Sequence, residues 1–131
     1  MDLTFSPEDE TFRSEVQTFL ADKLTPEMKH AAKRTTSVFA DKSLAMAWQH
    51  ILVEKGWAGP SWPVEWGGTD WSVTQKYIFN EECAKAGAPG LIPLGLRMLA
   101  PVLLRYGTDE QKAHYLPRML SGEDYWCQGY S

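Results

Sequence analysis

The stretch Leu91-Ile92-Pro93-Leu94-Gly95-Leu96-Arg97-Met98-Leu99-Ala100-Pro101-Val102-Leu103-Leu104-Arg105-Tyr106 is apolar on nearly every side of a helical projection. A surface helix confines its apolar residues to one stripe, so this pattern predicts a central helix buried on most faces. Pro101 lacks a backbone donor, which predicts a kink or a division of that helix into two pieces. Pro93, Arg97 and Pro101 also interrupt the run, which is shorter than the ~20 apolar residues needed to cross a bilayer. The segment is expected to be protein core, with no membrane span.

Capping signals on either side predict more helices. Downstream, Gly107 precedes Thr108-Asp109-Glu110-Gln111, a capping box that opens a helix with Tyr115, Leu116, Met119 and Leu120 inward and an end at Gly122. Upstream, Ser72 and Gln75 form a second capping box for a helix with Val73, Tyr77, Ile78, Cys83 and Ala84 on its packed face, ending at Gly87. Asp41 caps a helix carrying Leu44, Ala47, Trp48, Ile51 and Leu52, with Gly56 as a left-handed end. Ser6-Pro7-Glu8-Asp9 starts the first helix, whose stripe is Phe12, Val16, Phe19, Leu20 and Leu24 and whose end is Thr25-Pro26. Residues 26–40 lack periodicity and predict a connector with about one helical turn. Gly56 to Trp71 is too rich in Gly and Pro for a helix, and it carries Trp57, Trp62, Trp66 and Trp71. It predicts a structured loop, either a cover over the helical core or a contact surface for a further domain and a neighbouring subunit, the cover being favoured.

The chain has 131 residues, 13 Lys and Arg against 17 Asp and Glu, and a formal net charge of −4, which argues against a nucleic-acid footprint. Its 44% hydrophobic and 23% charged content is that of an ordinary globular domain, long enough for a core without disulfide or metal. The acidic start, Met1 to Glu10, lacks the charge pattern of a signal peptide. Cys83 and Cys127 form no CxxC pair and predict free thiols in a reducing, cytoplasmic setting. The expected fold is all-α, a bundle of about five to six helices. Residues 1–123 are the helical domain, and residues 124–131 are a short strand opening a second, β-structured domain that is cut off.

Chemistry is sparse. His30, His50 and His114 share no spacing that would place two ligands on one helix face, so no metal site is expected. The acidic pairs Glu8/Asp9, Glu81/Glu82, Asp109/Glu110 and Glu123/Asp124 sit at helix starts or exposed faces, where capping accounts for them. No GxSxG elbow, Walker-type loop or GxGxxG motif occurs. The residues alone describe a helical domain without a complete active site.

Three segments in order carry a resemblance: Gly56-Trp57 leading to Trp62-Pro63-Val64-Glu65-Trp66-Gly67-Gly68, then Arg105-Tyr106-Gly107-Thr108-Asp109-Glu110-Gln111-Lys112 through Leu116-Pro117 and Gly122-Glu123, then Trp126-Cys127-Gln128-Gly129-Tyr130-Ser131. The chain resembles the N-terminal helical domain of the acyl-CoA dehydrogenases, FAD-dependent enzymes that desaturate acyl-CoA thioesters. The resemblance implies a β-domain and a C-terminal helical bundle beyond this part, a homo- or hetero-oligomer, and an electron-transfer flavoprotein or similar acceptor. It implies that the catalytic base lies in the C-terminal domain, so no catalytic residue is assigned here, Glu65 included.

By the same resemblance Ser131 and Tyr130 are cofactor-binding residues, with Gln128 and Gly129 approaching the flavin or the thioester. Leu91, Leu94, Gly95, Leu96 and Met98 are expected to line the acyl tail. Gly95 stands out from the residues themselves, because glycine in a helix costs ~1 kcal/mol relative to alanine and suggests a close approach. The expected function is that of an N-terminal part of an acyl-CoA dehydrogenase, inactive alone, an oxidase or flavin monooxygenase on the same scaffold being a close relative. The alternative from another class is a helical binding module that completes a flavin site with a partner protein.

Overall fold

A computed structural model describes residues 4–36 and 39–129. Six α-helices form the architecture: α1 Pro7–Lys23, α2 Pro26–Lys33, α3 Lys42–Lys55, α4 Val73–Ala86, α5 Ala100–Tyr106 and α6 Asp109–Ser121, with a π-helical segment Leu94–Leu99 running directly into α5. The all-α class is as expected from the sequence, and so are the caps. Ser6, Asp41, Ser72 and Thr108 each accept a backbone N–H at a helix start, and the last two complete reciprocal boxes with Gln75 and Gln111. Helices α3, α4 and α6 end on left-handed Gly56, Gly87 and Gly122.

The larger core lies where α1 runs along α4, closed by α3 and the Trp loop. Phe12, Val16, Phe19, Leu20 and Leu24, the whole stripe read from α1, are buried there with Trp48, Leu52, Ile78 and Phe79. Trp57 is the hub of this core. Its indole meets Phe19 at 4.8 Å, Trp71 at 5.2 Å and Phe79 at 5.7 Å between ring centroids, all edge-on. A smaller core gathers Trp62, Leu96, Ala100, Leu116 and Met119, and Leu91 and Leu120 pack against both. The Trp loop is thus a cover: Trp57 and Trp62 are buried, and Trp66 and Trp71 are half-buried.

The loop is held by its glycines. Pro63 accepts the N–H groups of Trp66 and Gly68, both at 3.0 Å, around a single turn of 3-10 helix, Val64–Trp66. Gly67 has φ +87°, and a Cβ on Gly68 would lie 1.7 Å from the Trp62 carbonyl oxygen. Neither position accepts a side chain without moving the turn. The Pro-Val-Glu-Trp-Gly-Gly sequence is therefore a backbone device, with Glu65 exposed to solvent.

Several details differ from expectation. Residues 26–33 form two turns of helix rather than one, because Thr25-Pro26, which stops α1, also starts α2: the Thr25 hydroxyl accepts the Met28 N–H at 3.2 Å and Pro26 takes the first helical position. Helix α2 buries no residue fully, and it touches the larger core through the half-buried Met28. On α3 the buried residues are Ala45, Trp48, Gln49 and Leu52 while Ala47 is exposed, because Gln49 turns inward to donate to the Met119 and Leu120 carbonyls at 3.1 and 2.9 Å. On α4, Val73, Tyr77 and Ala84 are exposed and Ile78, Phe79 and Glu82 are buried. A charged residue took an inward position that apolar counting had assigned elsewhere, because Arg13 of α1 pairs with it.

The segment read as a central helix is neither one helix nor fully buried. Residues 91 and 92 are irregular, Pro93 is already in a helical conformation, the π-helical winding follows, and α5 begins at Ala100, so the chain divides next to Pro101 as expected. Ile92, Gly95, Leu96 and Ala100 are buried, but Met98 and Val102 are about half exposed, at 47% and 52%, and Tyr106 more so. Residues 125–129 form no strand, because a strand is defined by a ladder partner and none faces them among the described residues.

Candidate functional site

The π-helical winding organises the surroundings of every proposed acyl-contact residue. The Ala100 N–H bonds the Gly95 carbonyl five residues back. The next bond in that register would run from residue 101 to the Leu96 carbonyl, but residue 101 is proline and has no N–H. The Trp62 indole Nε1–H supplies the missing donor, reaching the Leu96 oxygen at 2.9 Å inside the core. Bulges of this kind recur at functional sites. Here one widens the helix between two hollows.

On one side lies a cleft of about 420 Å³ between the Trp loop, α4 and α5, with Leu91 and Leu96 in its wall. On the other side a hole of about 20 Å³ is bounded by Gln49, Gly95, Leu96, Met119 and Trp126. Leu96 borders both. The close approach expected at Gly95 is found here: an added Cβ would lie 2.9 Å from Met119 Cγ and 3.0 Å from Trp126 Cδ1. Trp126 is wedged edge-on against Tyr115, with 5.5 Å between centroids, and its indole Nε1–H is buried without a partner among the described residues. An unmet buried donor costs ~1–3 kcal/mol, so the position of Trp126 calls for explanation.

The segment ahead of Trp126 is anchored. Arg118 grips Asp124 with two hydrogen bonds of 2.9 and 2.7 Å and reaches Glu123 at 2.7 Å, while the Asp124 N–H returns to the Arg118 carbonyl at 3.1 Å. The Arg118 guanidinium holds the Asp124 carboxyl below its ordinary value. The pair Glu123/Asp124 is therefore a clasp that fixes where the chain leaves α6.

The structure distributes the proposed acyl residues over three environments. Leu91 and Leu96 face the cleft, Gly95 with Leu96 faces Trp126, and Met98 is half exposed with Leu94 half-buried. Gln128 and Gly129 follow Trp126 and are exposed. Tyr130 and Ser131 lie outside the described residues. Met119 and Trp126, the actual neighbours of Gly95, were not singled out by sequence as site residues, although the helical glycine was a signal that something large lay close by.

The titratable groups near the end of α4 are held by packing and by α1. Glu82 is 5% exposed and bound by Gln17 Nε2 at 3.0 Å, by Lys85 and by Arg13, which also holds Glu81 at 2.7 Å. Burial pushes the Glu82 carboxyl up, but the hydrogen bonds from Gln17, Arg13 and Lys85 outweigh it and the net shift is downward. Burial, with Glu82 adding to it, pushes the Cys83 thiol up to about 12, so it has little nucleophilic thiolate. Among the described residues no group of three His, Cys, Asp or Glu side chains is placed to hold a metal, and no helix is long and apolar enough to cross a membrane.

Residues 6–123 match the family model described as acyl-CoA dehydrogenase, N-terminal domain. The chain belongs to the acyl-CoA dehydrogenases. Similar curated acyl-CoA dehydrogenases include FadE26 of Mycobacterium tuberculosis, 34% identical over the whole of this chain and 32% of its own length, and IpdE1 of Mycolicibacterium smegmatis, 38% identical over 95% of this chain and 32% of its own. Among solved structures, the ChsE4-ChsE5 complex from Mycobacterium tuberculosis superposes with a TM-score of 0.75 at 34% identity, over 95% of this chain and 30% of that one. The Tcur3481-Tcur3483 steroid ACAD gives 0.77 at 30% identity, over 94% and 31%. The chain thus spans about a third of the length of the relatives it matches.

Proposed function

We propose that these residues form the helical wall of the acyl and flavin pocket in an FAD-dependent acyl-CoA dehydrogenase acting on a bulky, steroid-derived acyl-CoA. The observation that carries this reading is Trp126. Its buried Nε1–H has no partner among the described residues, it abuts Gly95 of the π-helical segment, and it leads directly into the exposed Gln128 and Gly129.

A flavin ring presents acceptors along its pyrimidine edge, and the donors at this end of the chain fit them. The exposed Gln128 side-chain amide and the backbone of Gly129, which no side chain obstructs, would hold the cofactor together with Tyr130 and Ser131, while Trp126, packed against Gly95, fixes where they leave the helical domain. When bound, the flavin supplies acceptance of a hydride from the carbon β to the thioester. The part played by this chain is to position and to exclude water: Leu94 and Met98 give the acyl group an apolar wall, which desaturation beside a thioester needs, and Gly95 behind them seats Trp126. Leu91 opens on the opposite hollow and drops out of that wall.

The base, the remaining flavin contacts and reoxidation by an electron-transfer flavoprotein belong to residues and partners beyond these 131. The steroid class is supported by the name of one structural neighbour, and a hetero-oligomer by the ChsE4-ChsE5 complex that is the other. The alternative, a helical subunit that completes a flavin site with a second protein, is favoured by the same complex.

The test is purification of the natural gene product with whatever co-purifies, followed by anaerobic addition of acyl-CoA thioesters while the flavin absorbance is recorded. Rapid bleaching by a steroid side-chain thioester, with much slower bleaching by straight-chain ones, is the expected result. A preparation free of flavin, or one that no thioester bleaches, overturns the reading. One kind of polypeptide in the yellow complex points to a homo-oligomer, two kinds to a partner-completed site.

A further inference from the structure

The 420 Å³ cleft is lined by Leu91 and Leu96 but not by Leu94, Gly95 or Met98, and it has the build of a ligand site of its own. Its volume falls within the ~300–1,000 Å³ common for small-molecule pockets. Trp57, Trp62, Phe79, Leu91, Leu96 and Leu104 supply apolar wall. Trp62 is fixed there by its hydrogen bond to Leu96, so the wall is preformed.

The charged groups around it are of one sign. Ser61, Lys76, Asn80 and Arg97 contribute to the lining, and no described lining residue is Asp or Glu, in a chain whose net charge is −4. Lys76 and Arg97 make no ion pair among the described residues. Two uncompensated cations bordering apolar surface favour an anion that brings its own apolar body, because each charge-assisted hydrogen bond gains strength where water is partly excluded.

We propose that this cleft binds a small amphiphilic carboxylate, its head held by Lys76 and Arg97 and its hydrocarbon body laid against Trp57 and Trp62. The site is separate from the proposed acyl and flavin wall. It does not depend on that wall being assigned correctly.

Calorimetric titration of the 131-residue chain with dodecanoate, dodecanol and dodecyltrimethylammonium, each below its critical micelle concentration, tests the assignment, with tryptophan fluorescence as a second readout. Dodecanoate should bind saturably at one site. The alcohol and the cation should bind at least about tenfold more weakly, a factor worth ~1.4 kcal/mol. Lys76→Gln and Arg97→Gln should each weaken dodecanoate binding by about fivefold or more, added salt should weaken it further, and neither variant should alter the circular dichroism spectrum. Leu104→Trp, which fills the cleft, should abolish binding. Equal binding of all three probes, indifference to both charge substitutions, or no saturable binding by the folded chain overturns the proposal.

Discussion

The Trp62 indole donates a hydrogen bond to the Leu96 carbonyl at 2.9 Å, and it does so because Pro101 cannot. The π-helical register calls for a donor at residue 101, proline removes it, and a side chain from a loop 34 residues earlier in sequence fills the vacancy. The Trp loop and the segment before α5 are thereby one unit. Trp62→Phe keeps most of the buried area but orphans that carbonyl, so it should cost ~1–3 kcal/mol of stability by urea denaturation. In a Pro101→Ala background the backbone regains an N–H, and the same substitution should cost clearly less. Equal costs in both backgrounds would show that the two residues are not coupled through the Leu96 oxygen.

Gly68 and Gly90 make a matched pair for testing the loop. A Cβ on Gly68 would fall 1.7 Å from the Trp62 carbonyl oxygen, whereas one on Gly90 meets nothing within 4 Å. Gly68→Ala must displace the turn that positions Trp62 and should lose on the order of 3 kcal/mol. Gly90→Ala should stay within ~0.5 kcal/mol of the wild type. Thermal unfolding of both variants decides the matter, and a tolerated Gly68→Ala would mean the turn is not the backbone device described here.

The helical frame was legible in the sequence because caps are local. Ser6, Asp41, Ser72 and Thr108 announce helix starts within four residues, and left-handed glycines announce three of the ends. Facing was less legible. Glu82 and Gln49 are buried because partners far away in sequence, Arg13 and the Met119 and Leu120 carbonyls, satisfy them, and no periodicity in α3 or α4 encodes that. The π-helical register was illegible for the same reason: Pro101 revealed a missing donor but not that Trp62 would replace it. Gly95 showed that something approached closely, and only the fold identified it as Met119 and Trp126.

Acid sensitivity should follow from the Arg13 cluster. Hydrogen bonds from Gln17, Arg13 and Lys85 overcome burial and hold the folded Glu82 carboxyl below its ordinary value of 4.5. The unfolded chain therefore takes up that proton first as pH falls. The stabilisation is complete above pH 4.5 and is lost progressively as pH drops through the lowered folded value. Glu82→Gln should cost ~1.5–3 kcal/mol near neutrality and flatten the acid limb of Tm against pH. An acid limb as steep as in the wild type would assign the sensitivity to other carboxylates.

Gly95 couples packing to the proposed pocket, and the two roles make opposite demands on the same variant. Its missing Cβ leaves room for Met119 at 2.9 Å and Trp126 at 3.0 Å, so Gly95→Ala must push Met119 or Trp126 aside. Overpacking of this kind costs ~1–3 kcal/mol. Because Trp126 leads into Gln128 and Gly129, the displacement should also loosen flavin retention in the full-length protein, read as faster flavin release on dilution. Gly95→Leu should go further and change acyl-chain preference, with bulky thioesters losing more than short ones. Met119→Ala opens the same contact, so combined with Gly95→Ala it should restore flavin retention if Trp126 is the link. Destabilisation with unchanged flavin release and unchanged substrate preference would leave Gly95 a packing residue of the helical domain and remove it from the pocket.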